Sequence, residues 1–246
     1  MKLSYSSDDG YSGDTALGVV VLSTDETLEP EMRQITAQSG ANLYHTRIPF
    51  ATNVTPETLA MMEHDLPKSM SLMPPNIDFK AIGYACTSGA TVIGSDKLAQ
   101  IIHEYFPNAA VTDPIQAVIA ACHTMDVKRL GMLTPYRADV SAVMRDLLEQ
   151  NGIQITAFGS FEEESDHKVA RIAQSSTLEG MMHVGTGDCD AVFASCTNLG
   201  SFAVIEQAEK ALGKPVVSSN SAFTWHLHRL AGFTGPIAGP GHLFTV

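Results

Sequence analysis

Two cysteines sit where reactive thiols are readily placed. In Ala81-Ile82-Gly83-Tyr84-Ala85-Cys86-Thr87-Ser88-Gly89-Ala90 an apolar run ends in a cysteine, two hydroxyl residues and a glycine, and a helical pattern follows. Cys86 is therefore expected at the carboxyl end of a strand, against the first turn of a helix. Helix-end N–H groups lack intrahelical partners and the helix dipole favours negative charge there, so a thiol so placed can have its pKa lowered and act as nucleophile or base. The same order recurs in Asp190-Ala191-Val192-Phe193-Ala194-Ser195-Cys196-Thr197-Asn198-Leu199-Gly200, where Cys196 lies 196 − 86 = 110 residues further on. A second pair of strand ends, Leu22-Ser23 and Leu133-Thr134, is offset by 133 − 22 = 111. Two strand ends repeating at nearly one offset predict two similar α/β halves.

The elements that must position these thiols alternate along the chain. Predicted strands at 18–22, 42–48, 81–85, 109–112, 129–133, 154–158, 190–194 and 215–218 are separated by helical patterns. Thr55-Pro56 and Asp113-Pro114 pair a capping side chain with proline at the first helical position, and Gly40 and Gly213 stand where helices end. Such alternation implies parallel sheets covered on both faces, with ligand crevices at the carboxyl ends of the strands. The expected division is an N-terminal arm over 1–17 and a first α/β domain over 18–112, completed by 220–246. A second α/β domain follows over 113–219. A pseudo-twofold axis between the halves would turn both cysteines toward one interdomain cleft.

Composition narrows the partners. The formal charge is −12 over 246 residues, which opposes nucleic-acid binding because phosphate contact needs clustered Lys and Arg. No stretch reaches the roughly 20 apolar residues of a membrane span, and the acidic arm with Asp8, Asp9 and Asp14 lacks the apolar core of a signal peptide. The four cysteines have no Cys-x-x-Cys or disulfide-framework spacing, so they read as free thiols of a cytoplasmic protein, and no metal site is expected. Neither Gly-x-Gly-x-x-Gly nor a P-loop is present, so a nucleotide cofactor has no support. Cys122, within a helical apolar pattern, and Cys189, in a loop, read as structural thiols.

The chain after about Gly18 resembles the aspartate/glutamate racemase superfamily, in the branch of maleate cis-trans isomerases and arylmalonate decarboxylases. The resemblance rests on Tyr84-Ala85-Cys86-Thr87-Ser88-Gly89, Thr134-Pro135-Tyr136 and Ser195-Cys196-Thr197-Asn198. It implies two flavodoxin-like (Rossmann-like) parallel-sheet domains and cofactor-independent chemistry at a carbon next to a carboxylate, on a small carboxylate substrate. It also implies a homodimer or higher homo-oligomer. Carried onto this sequence, Cys86 and Cys196 are the catalytic pair and Tyr136 meets a substrate carboxylate. Ser23, Thr87, Ser88, Thr134, Thr197 and Asn198 help to fix the carboxylates.

Two positions depart from the maleate isomerase pattern, which carries asparagine in the loop after the first strand and in the loop entering the corresponding second-half helix. Here Asp25 and Asp166-His167 stand there. An acid in place of an amide loses two donors and repels a dicarboxylate. The run Leu22-Ser23-Thr24-Asp25-Glu26-Thr27, with Asp166-His167-Lys168-Val169-Ala170-Arg171-Ile172, resembles the ectoine-utilisation proteins of this branch. That points to an amino-acid-like or ectoine-derived acid whose ammonium Asp25 could pair. Asp25 could equally cap the following helix, and His167 could either bind substrate or face solvent. Decarboxylases of the branch resemble the same scaffold with only the second-half cysteine, so Cys86 favours isomerase or racemase. Maleate isomerisation, decarboxylation and a non-catalytic small-molecule binder remain as alternatives.

Overall fold

A computed structural model describes residues 1–8, 15–51 and 55–246. Residues 1–8 are exposed and without regular structure, and the remainder of the arm through Asp14, with its Asp9, lies outside the described residues. The regular chain begins with β1 (Ala16–Leu22), α1 (Leu28–Ser39), β2 (Asn42–Ile48), α2 (Pro56–Met70) and β3 (Phe79–Ala85). Next come α3 (Thr87–Ile93), α4 (Ser95–His103), β4 (Ala110–Thr112) and α5 (Pro114–Thr124). The second half runs β5 (Arg129–Thr134), α6 (Ala138–Gln150), β6 (Gln154–Ser160), α7 (Asp166–Val169) and α8 (Gln174–Gly185), then β7 (Ala191–Ala194), α9 (Phe202–Leu212), β8 (Val216–Ser218) and α10 (Ser219–Leu230).

The strands form two four-stranded sheets of the same order, β2-β1-β3-β4 and β6-β5-β7-β8, with every pairing parallel. All residues of β1 and β7 are buried, as expected of central strands covered on both faces. Their near-continuous apolar runs are the sequence counterpart of that burial. In both sheets the reversal of strand order falls between the first and third strands, so the crevice between those strands' carboxyl ends is the place for a site.

The helices differ in places from the sequence pattern. The pattern ends a helix at Asp65, whereas α2 continues to Met70 through an internal Pro67. Only a short helix near Val169 to Ala173 is legible. The structure has a single turn at α7 and a full helix at α8, whose start, Gln174-Ser175-Ser176-Thr177, carries little apolar signal. Helix α10 follows the second sheet yet lies against β3, β4, α1 and α5. The approach to β3 is close: a Cβ at Gly83 would meet the Phe223 ring at 2.2 Å. Among the described residues no helix is long and apolar enough to cross a membrane.

Candidate active site

Both cysteines lie at the strand ends the sequence predicts, and they differ in backbone. Cys86 follows β3 with extended φ −148° and ψ 112° and is the N-cap of α3, its Sγ accepting from Gly89 N–H at 3.2 Å. Cys196 follows β7 with φ 116°, in the region that favours glycine. Its helix, α9, starts only at Phe202, so Cys196 is not a helix cap. Its Sγ instead accepts from Asn198 N–H at 3.3 Å and lies 3.2 Å from the Tyr136 hydroxyl. Its own N–H donates to Ser219 Oγ at 2.9 Å, and Thr87 Oγ1 donates to the same oxygen at 2.8 Å. Ser219, the first residue of α10, thus ties the two cysteine loops together.

Three more groups converge here. Tyr136 is buried and donates its hydroxyl hydrogen to Asp166 Oδ1 at 2.8 Å. The other oxygen of Asp166 accepts from Thr24 Oγ1 at 2.5 Å, which links the loop after β1 to α7. Asp25 braces the entry to α1, whose N-cap is Thr27: its Oδ1 accepts from the N–H groups of Thr27 at 2.9 Å and Leu28 at 2.8 Å. Its Oδ2 is buried with no well-formed hydrogen bond, the Thr197 hydroxyl lying alongside the carboxylate. Asp25 and Asp166 both act electrostatically on Cys86 and on Cys196, so the two thiols share one acidic neighbourhood.

That neighbourhood reverses one expectation. The helix-end position of Cys86 supplies the Gly89 N–H, yet the thiol is only 6% exposed and burial outweighs the hydrogen bond, pushing it up to about 12. Cys196, 5% exposed, is raised in the same direction by burial and by Asp166. Burial likewise raises Asp25 and, with the nearby Cys196 and Asp166, lifts the Tyr136 phenol well above its ordinary value. The resting site therefore holds two neutral thiols beside two acids.

The remaining predicted residues separate into two groups. Thr87, Ser88, Thr134, Thr197 and Asn198 are buried around the cysteines. Thr134 Oγ1 accepts from Tyr136 N–H at 3.3 Å and fixes that turn. Asn198 is spent on structure: its Oδ1 accepts from Glu26 N–H at 2.9 Å and its Nδ2 donates to the Asp166 carbonyl at 3.0 Å. Ser23 is exposed and accepts from Phe50 N–H at 3.0 Å, so it is not brought to the thiols. The His167 side chain is 67% exposed, with Nδ1 at 3.3 Å from Glu26, also outside the site.

Sequence reasoning passed over Thr24, Glu31, Ser219 and Asn220 as site residues, and read Asp166 only as a departure from the maleate isomerase pattern. Glu31 of α1 is buried and caps α9 from across the molecule, Oε1 accepting from Ser201 N–H at 2.7 Å and Phe202 N–H at 2.9 Å. Its Oε2 accepts from Asn220 Nδ2 at 2.7 Å, and the same amide nitrogen donates to the Thr197 carbonyl at 2.8 Å. Ser219-Asn220 directly follows β8, and that strand-end position was the available signal. A groove of about 630 Å³ runs between α1 and α9, lined by Pro30, Gln34, Phe202 and Gly239 among others, and neither cysteine lines it. Among the described residues no cluster of three or more His, Cys, Asp or Glu side chains is arranged to hold a metal.

Residues 95–244 match the model of the arylmalonate decarboxylase family. Over 238 residues the chain is 25% identical to a maleate isomerase of Nocardia farcinica, covering 92% of this chain and 94% of the relative. It is 29% identical over 128 residues to an arylmalonate decarboxylase of Bordetella bronchiseptica, covering 51% and 53%. Among solved structures, a maleate isomerase from Pseudomonas putida S16 with maleate superimposes with TM-score 0.86 at 21% identity, covering 94% of this chain and 97% of that one. A Nocardia farcinica maleate cis-trans isomerase with a covalently bound succinylcysteine intermediate gives TM-score 0.86 at 23% identity, covering 94% and 98%. These structures share the two-sheet fold described above.

Proposed function

Because the chain belongs to the arylmalonate decarboxylase family, we propose that it is a cofactor-independent isomerase or racemase acting at a carbon next to a carboxylate through Cys86 and Cys196. The observation that carries this reading is the meeting of two strand-end thiols, one from each sheet, in a buried cluster with Asp25, Tyr136 and Asp166. Two thiols beside one carbon suit a reaction in which one removes a proton, or adds to a double bond, and the other delivers a proton. The succinylcysteine of the Nocardia farcinica relative supports a covalent variant of the same chemistry. Cys86 beside Cys196 favours isomerisation over decarboxylation.

For the substrate, the reading is an amino-acid-like or ectoine-derived acid, by resemblance to the ectoine-utilisation proteins. Its support is the buried Asp25 carboxyl, whose Oδ2 has the Thr197 hydroxyl alongside but no well-formed hydrogen bond. A buried carboxylate so weakly held is costly, and an ammonium on the substrate supplies a further donor and an opposite charge. Burial and then the two acids keep both thiols protonated, and the same ammonium offsets the acidic part, which brings a thiolate nearer. A second carboxylate placed there would meet Asp25 and Asp166 instead, which sets maleate isomerisation as the second reading. Homo-oligomeric assembly and a cytoplasmic location belong to the same proposal, by resemblance to the superfamily.

The test is proton NMR in D2O, following deuterium incorporation and isomer formation with aspartate, succinate and maleate as a first panel. Exchange should appear with the ammonium-bearing acid, and Cys86→Ser and Cys196→Ser should each reduce it by about a hundredfold or more, the scale of a lost acid or base. Asp25→Asn should weaken the ammonium-bearing acid and improve maleate. Turnover that survives both serine variants would end the two-cysteine assignment.

A further inference from the structure

The Tyr136 hydroxyl stands between two acceptors, and it has one hydrogen to give. Asp166 Oδ1 lies 2.8 Å from it and Cys196 Sγ 3.2 Å from it. Asp166 is fully buried, and its other carboxylate oxygen already receives Thr24 Oγ1–H at 2.5 Å. A carboxyl oxygen is a better hydrogen-bond acceptor than a neutral sulfur, and the phenol is aligned to donate to Oδ1. The phenolic hydrogen therefore goes to Asp166. The oxygen's remaining lone pair then faces the thiol, which can meet it only as an S–H donor.

We infer that Asp166 is a positioning residue: by holding the hydrogen of Tyr136 it fixes the direction of the Tyr136–Cys196 contact and keeps the Cys196 hydrogen on sulfur. The groups facing Cys196 are Tyr136 from the turn after β5, Asp166 from α7, Asp25 from the loop after β1 and the Asn198 N–H; Cys86 also faces Tyr136. Among the described residues no Lys, Arg or His is one of these groups, and a thiolate there keeps the Asn198 N–H as a donor. Asp166 thus withholds the second donor that Tyr136 could give. On the function proposed above, which this part of the inference rests on, Cys196 waits as a thiol. When it acts, its S–H bond breaks, a C–H bond forms with the carbanion's electron pair, and the sulfur keeps the S–H pair as a thiolate.

The titration of Cys196 tests this without any substrate, so its outcome is separate from that of the activity assay. Iodoacetamide labelling of the full chain across pH, with each cysteine quantified by mass spectrometry, reads the thiolate of Cys196 directly. Asp166→Asn should make Cys196 about tenfold more reactive near pH 8, the scale of removing a like charge at close range and freeing a donor. In a Tyr136→Phe background the same substitution should give a clearly smaller gain, because the hydroxyl that Asp166 controls is gone. An equal gain in both backgrounds would show a through-space charge alone and overturn the positioning role, as would no gain in either. If Asp166→Asn does not fold, the infrared S–H band of the wild-type protein, isolated by difference against Cys196→Ala, decides the matter. A band lowered in frequency by hydrogen-bond donation supports the assignment, and one at the position of a non-donating thiol overturns it.

Discussion

Cys86 is held by its own neighbours in the chain, and Cys196 by residues far from it. Around Cys86 the extended backbone runs straight into α3, and the thiol takes an N–H three residues on. Around Cys196 the backbone turns through positive φ, no helix begins for five residues, and the loop leans on Tyr136, Ser219 and Asn220. Glu31 extends that frame, since it joins the N-terminus of α9 to Asn220 from a separation of 189 residues. The same sheet order and the same Cys-Thr pair therefore yield one self-supporting thiol and one that depends on the assembled molecule. On the function proposed above, the asymmetry suits two thiols with opposite roles.

The largest break in that contrast should come from Glu31→Ala, which leaves the first N–H groups of α9 and the Asn220 amide without their buried partner. A loss of about 3 kcal/mol is expected in urea unfolding, the scale of a buried hydrogen bond to a charged group left unmade. Alkylation of Cys196 should rise while that of Cys86 stays as it was. Equal changes at both thiols would mean that the two loops share one support.

A second difference is read in alkaline solution. Burial pushes the Cys86 thiol up to about 12, above the roughly 8.5 of an unfolded chain. For such a raised acid the stability is intact below the unfolded value and is lost as pH rises toward the folded one, because the unfolded chain sheds its proton first. Stability should decline above about pH 8.5, and Cys86→Ala should recover about 2 kcal/mol of that loss near pH 10. A decline unchanged in Cys86→Ala would place the titration elsewhere, Tyr84 and Tyr136 being raised as well.

The smallest effect is a reversal of sign. At Cys196, with φ 116°, glycine should be more stable than alanine by about 1 kcal/mol, since only alanine keeps the strained backbone. At Cys86, with φ −148°, alanine should be more stable than glycine by about 0.5–1 kcal/mol. Thermal unfolding of the four variants gives both comparisons at once, and like signs at the two positions would remove the backbone distinction.

What was legible in the sequence follows the same division. Strand-Cys-Thr motifs, caps such as Asp113 and the repeated offset are local signals, and the two sheets follow from them. The offset of 111 residues even pairs Asp25 with Tyr136, each in the loop after the first strand of its sheet. What stayed hidden joins distant parts of the chain. Thr24 meets Asp166 across 142 residues, and no period or spacing encodes that contact. His167 stood out by its chemistry, yet at the first turn of α7 the neighbouring Asp166 turns inward and the histidine outward. Two further expectations failed for energetic reasons: helix-end stabilisation of Cys86 was outweighed by burial, and Asn198 was consumed by backbone partners.

The props of the Cys196 loop also order events in time. A nascent chain that has reached Gly213 carries both cysteines, Tyr136, Asp166 and the strands β1–β7, yet lacks Ser219 and Asn220. Without them the two cysteine loops have no common tether, and Phe223 does not yet cover Gly83. Because chains fold progressively as they leave the ribosome, the first half can settle early while the two thiols are kept apart. Arrival of α10 then acts as a latch on synthesis, and a chain truncated before it would carry every reactive group and remain silent.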